Sequence, residues 1–78
     1  MHLWTQEFRS RLANKIRLRR EELGFTQSEL QNRSFLRQPT IVELENASTR
    51  VTSEILFSVA GALKVSPAFL LREENVPV

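Results

Sequence analysis

Gln38, Pro39 and Thr40 stand side by side where the chain has just turned and an apolar pattern resumes. The Gln38 amide presents a donor and an acceptor together, a pairing that matches N6 and N7 of adenine; its plainer reading is a solvent-exposed glutamine. The Thr40 hydroxyl can hydrogen-bond while its methyl lies against a thymine methyl, and Pro39 offers apolar contact alone. This is equipment for reading flat hydrogen-bonding edges. It does not break bonds: no nucleophile, base and orienting acid share a pattern, so an enzyme is not expected. The chain has no cysteine, and its one histidine, His2, stands near the N-terminus. Disulfides, thiolate sites and a catalytic zinc are therefore not expected, and neither a metal nor a cofactor is implied.

Side chains of this kind need a short helix to aim them, and the spacing predicts five helices without a strand. Phe8, Leu12, Ile16 and Leu23 recur with helical period from Thr5 or Gln6 onward, and Gly24 can end that helix in a left-handed conformation. Thr26 with Glu29 forms a capping box, so a second helix runs from about Gln27 to Arg33 with Leu30 inward. Ser34 to Leu36 is the turn. Pro39 is tolerated only in a first turn, which starts a third helix at Arg37 or Gln38 and ends it at Glu45 or Asn46, with Ile41 and Leu44 buried. Residues 47–51 read as a loop. Thr52 or Ser53 caps a fourth helix carrying Ile55, Leu56, Val59, Ala60 and Leu63. Ser66-Pro67 opens a short fifth helix bearing Phe69, Leu70 and Leu71.

Seventy-eight residues make one domain over 1–78, since a chain this short buries only about 60% of its unfolded surface and has no room for a deep cleft. The arms 1–5 and 72–78 are expected to be flexible or to contact a partner, with Leu3 and Trp4 folding back on helix one or serving a second subunit. No apolar run approaches the roughly 18 residues of a membrane span and no leader pattern opens the chain, so a cytoplasmic protein is expected. Net charge is only +2, yet Arg9, Arg11, Lys15, Arg17, Arg19 and Arg20 cluster early while Glu73 and Glu74 stand near the end. That cluster is either a solvated helix face or a polyanion-facing surface. Arg20 differs from the rest because it lies beside the apolar stripe. It needs an anion there, and Glu45 on the inner side of helix three is the candidate; contact with DNA is the other reading.

GFTQSEL, the turn, QPTIVELEN and then LFSVAGALKVSPAFLL together resemble the DNA-binding domain of the lambda-type repressor and Cro family, also called XRE-like, over about Leu12 to Leu71. The resemblance implies a compact all-α, five-helix lambda-repressor-like domain whose helices two and three form a helix-turn-helix over about 26–46. It implies a sequence-specific regulator of transcription, either repressor or activator, whose partner is double-stranded DNA. The recognition helix, about 38–46, would enter the major groove. Gln38, Pro39, Thr40 and Glu43 would then meet bases, Glu43 accepting from cytosine N4 or instead pairing on the surface with Arg37 or Arg50. Gln27 matches a glutamine that binds phosphate at a helix start, and Asn46, Ser48, Thr49 and Arg50 match a loop along the backbone. Arg37 adds charge, as does Arg33. In this family an arginine and a glutamate at the places of Arg20 and Glu45 form a structural ion pair.

A half-site of a few base pairs gives little specificity, so the resemblance also implies a homodimer on a pseudo-palindrome. Phe57 and Leu70 are the expected dimer contacts, or else they complete the core. The chain departs from the family at Gln31, where alanine is usual, at Val42, where serine is usual, and at Phe35, where glycine is usual. A phenylalanine at positive φ is unfavourable, so a rebuilt turn is expected, with Phe35 filling core space or facing a partner. Phe35, Val42, Phe57 and Trp4 also support a different class of function, a protein-interaction module of the same fold such as an antitoxin or anti-activator. Another regulator or a toxin would be the protein partner of such a module, and polymerase that of a DNA-bound activator.

Overall fold

The computed structural model describes residues 5–48 and 50–72, and the expectations for Leu3, Trp4, Thr49 and residues 73–78 fall outside them. Five helices follow in order: α1 (Gln6–Glu22), α2 (Gln27–Ser34), α3 (Gln38–Glu45), α4 (Ser53–Ala62) and α5 (Pro67–Leu71). Their starts are set by local chemistry. Thr5, Thr26, Thr52 and Ser66 each stand in extended conformation and accept a hydrogen bond from the third residue on, satisfying an amide that the helix itself leaves free. Thr26 and Glu29 close a full capping box, with the Glu29 carboxylate accepting from the Thr26 amide at 2.9 Å. Pro39 and Pro67 occupy first turns, where a missing N–H removes no helical bond.

The helix ends are less ordinary. After α1, Gly24 takes φ +75°, and Gly24 and Phe25 donate to the carbonyls of Glu21 and Arg20 at 3.0 Å each, a Schellman closure. The same pattern closes α3 at Ala47 (φ 59°) and α4 at Lys64 (φ 60°), where side chains bear the left-handed conformation that glycine takes freely. Phe35 makes a fourth left-handed position at φ 61°, and its ring is 93% exposed. The turn is thus not rebuilt and Phe35 does not fill the core. Ser34 supports it instead, its buried hydroxyl donating to the Gln31 carbonyl and accepting from the Leu36 amide, both at 3.3 Å.

α1 packs on α3 and α5, α2 on α3 and α4, and α4 on α5, so the short α3 is held from behind by two helices. Ile16, Leu30, Ile41, Val59 and Leu63 are fully buried at the centre. Leu70 joins them at 1% exposure, which corrects its assignment to a dimer surface: α5 turns this residue into the core of its own chain. Phe57, by contrast, is 63% exposed. The early basic cluster is divided in use. Lys15 is buried and donates to the carbonyls of Phe69 and Arg72, and Arg19 Nε donates to the Leu63 carbonyl at 3.0 Å. These cations close the C-terminal ends of α5 and α4, where carbonyls lack helical partners.

Candidate nucleic-acid interface

α3 is two-faced. Ile41, Leu44 and Glu45 are buried while Gln38, Pro39 and Glu43 are exposed, and Thr40 and Val42 are half-buried between the two faces. The division follows from spacing: positions 41, 44 and 45 recur on one stripe of a 3.6-residue period, and 39 and 43 lie on another. Arg37 stands before the helix in extended conformation and makes no side-chain cap. The amides of the first turn are therefore left to solvent or to a partner.

The back of α3 is fixed by one carboxylate. Arg20 holds Glu45 as a fork, Nε donating to Oε2 at 2.7 Å and an Nη to Oε1 at 3.0 Å, while its other Nη donates to the Phe25 carbonyl at 2.8 Å. Glu21 lies 4.0 Å away at the edge of the pair. The guanidinium pKa is raised above its ordinary value, chiefly by the hydrogen bond to Glu45. Burial opposes the shift, and the charges of Glu45 and Glu21 support it. Such a planar fork fixes direction as well as distance, so the pair sets the rotation of α3 about its axis.

Gln27 is tied into the same group. Its side-chain amide donates to Glu45 Oε1 at 3.1 Å, so the first residue of α2 is joined to the last of α3. Sequence reasoning assigned Gln27 to a phosphate and missed this link, which connects residues 18 positions apart through a polar side chain with no periodic signature. The Gln27 and Ser28 amides lie ahead of the first helical hydrogen bond, which Leu30 donates to the Thr26 carbonyl. Asn46, Ser48 and Arg50 are exposed beyond α3. Ser48 is drawn back toward the helix, its amide donating to the Glu43 carbonyl at 3.0 Å and its hydroxyl reaching the same oxygen at 3.4 Å. Arg33 lies over the Phe25 ring at 4.3 Å, a cation–π contact on the flank of α2.

Exposed amide, hydroxyl and guanidinium groups are thus carried by α3 and the loop that follows it. No group of His, Cys, Asp or Glu among the described residues could hold a metal, and no helix there is long and apolar enough to cross a membrane. Gln31, on α2, is half-buried, and α2 and α3 remain packed together.

Comparison with known proteins gives a consistent result. Residues 16–70 match the helix-turn-helix family. Among solved structures, the chain is similar to the clp gene regulator ClgR from C. glutamicum, with 36% identity and a TM-score of 0.73, covering 81% of this chain and 82% of that one. No curated protein matches.

Proposed function

The chain belongs to the helix-turn-helix family of DNA-binding transcription regulators, and on that premise we propose that it reads a specific double-stranded operator in the cytoplasm by laying α3 in the major groove. The observation that carries this reading is the division of α3. Its inner face is locked through Ile41, Leu44 and the Arg20–Glu45–Gln27 group, while Gln38 and Glu43 stand outward on a rigid base. Gln38 pairs with adenine, Pro39 and Thr40 give apolar and hydroxyl contact, and Glu43 selects cytosine and rejects phosphate. The first-turn amides of α2 at Gln27, with Asn46, Ser48, Thr49, Arg50 and Arg37, hold the backbone. Two subunits on a pseudo-palindrome supply the remaining specificity, and the exposed ring of Phe57 is available for that association.

Selection of bound duplexes from a random library with the purified chain tests this reading. A palindromic consensus is expected. Failure to enrich any motif at low salt would favour a second reading, supported by Phe35: a 93% exposed aromatic at an unfavourable backbone angle suits a contact with a protein partner, as in an antitoxin or anti-activator.

A further inference from the structure

We propose that the outward face of α4 is a self-complementary surface on which a second copy of this chain docks, the two α4 helices lying antiparallel with Phe57 of each seated over Gly61 of the other. The inference rests on two subunits sharing an operator and names the surface that joins them. Leu70 of α5 is turned into the core of its own chain and is not part of it. α4 keeps an outward stripe instead. Glu54, Phe57 and Gly61 are exposed and fall within an arc of about 60° at 3.6 residues per turn, and exposed Lys64 follows just past the C-cap Leu63. Phe57 is 63% exposed, a large apolar ring that a lone domain leaves in water. Gly61 is the matching recess: a methyl group at this position would meet no atom within 4 Å, so the helix is bare to its backbone there.

The order of these residues fixes the pairing. Positions 57 and 61 lie equally far from 59, and so do 54 and 64. A two-fold axis at 59 that sets one α4 antiparallel to another therefore places Phe57 opposite the partner's Gly61 and Glu54 opposite the partner's Lys64 at one register. A parallel pairing would set ring on ring and carboxylate on carboxylate. Among the described residues neither Glu54 nor Lys64 joins an ion pair, so both charges are open to a second copy. Glu54 stands in the first turn of α4 and Lys64 beyond its last, and antiparallel stacking also sets the positive end of one helix beside the negative end of the other. Without a side chain at 61 the axes can approach to about 8 Å, the short end of helix packing. α4 has 10 residues and is about 15 Å long, so the contact is small and the dimer forms reversibly with concentration.

The test is the self-association of the full chain, measured by sedimentation equilibrium both free and on the library-selected duplex. Gly61→Ala is the sharpest variant, because it acts on fold and association in opposite directions. Alanine is the better helix former and meets no neighbour in its own chain, so the melting temperature at low concentration should hold or rise. The added methyl fills the recess for Phe57, so the dimer dissociation constant should rise about tenfold or more. Glu54→Lys and Lys64→Glu should each weaken association several-fold, and the double variant should recover it, since the exchanged charges again face each other across the axis. Gly61→Ala associating as wild type, or a double variant no better than either single one, overturns the α4 pairing, while a wild-type dimer leaves the two-subunit reading standing. A wild-type chain that stays a monomer both free and on the selected duplex overturns both.

Discussion

Glu45→Ala is the substitution whose effect can be worked furthest from the structure. It removes the carboxylate that accepts from Arg20 at 2.7 and 3.0 Å and from Gln27 at 3.1 Å, leaving a guanidinium whose side chain is only 13% exposed with the Phe25 carbonyl and a more distant Glu21. Breaking a buried ion pair from one side costs about 3–5 kcal/mol. The partial exposure of Arg20 places this case near the lower figure, about 3 kcal/mol. A domain of this size has about 4–12 kcal/mol in all, at ~0.05–0.15 per residue, so the variant should unfold about 12–24 °C lower at ~4–8 °C per kcal/mol. Glu45→Gln keeps one acceptor and loses the charge, and should fall between. Removing both partners, as Arg20→Met with Glu45→Leu, should recover most of the loss, since the penalty arises from the stranded charge. Because the pKa of Arg20 is raised on folding, its contribution is fully present below the ordinary arginine value and fades only as pH rises through the higher folded one. The Arg20 part of the Glu45→Ala deficit should therefore be constant from neutral to moderately alkaline pH. Urea and thermal unfolding followed by circular dichroism measure all of this. A single variant within about 1 kcal/mol of wild type, or a double variant as unstable as the single, would refute the reasoning, because either result means the pair carries no coupling.

Phe35→Gly should stabilise the fold by up to about 1–2 kcal/mol, the left-handed penalty relieved at φ 61°, less part of glycine's own entropy loss; thermal melts decide the sign. Leu70→Ala should cost about 2–5 kcal/mol of unfolding free energy independent of protein concentration, as a core cavity does, whereas an interface residue would make the loss vary with concentration. Arg50→Ala should weaken binding of every duplex alike and lower the salt slope by about 0.9, with the selected motif unchanged.

What could be read in advance divides by range. The starts of α1, α2, α4 and α5 were legible because capping chemistry lies within three or four residues, as with Thr26 and Glu29. The Arg20–Glu45 pair was legible too, since an arginine on an apolar stripe demands an anion. The side of α5 was not: Phe69, Leu70 and Leu71 are consecutive, and a helix of five residues has too few turns for periodicity to choose the inward one. Left-handed turns were missed at Ala47 and Lys64 because glycine is their usual sign. Phe35 shows the converse, a bulky residue at positive φ in the turn between α2 and α3, where the Ser34 hydroxyl bonds to the backbone on either side. Lys15 and Arg19 reach carbonyls 54 and 44 positions away, a relation that belongs to the packing of α1 against its neighbours and to no local pattern.

The central claim is that the outward face of α3 distinguishes one DNA sequence from another, and the ratio of two dissociation constants measures it most directly. Purified wild type and Gln38→Ala are titrated, at one salt concentration, against the library-selected duplex and against the same duplex with its consensus scrambled. Wild type should prefer the selected duplex by about 10³-fold or more. Gln38→Ala should lose about 1–3 kcal/mol of that preference, and the loss should vanish when the adenine it reads is replaced. Equal constants on the two duplexes for wild type, or an unchanged ratio in Gln38→Ala, would contradict the assignment of α3 as the reader.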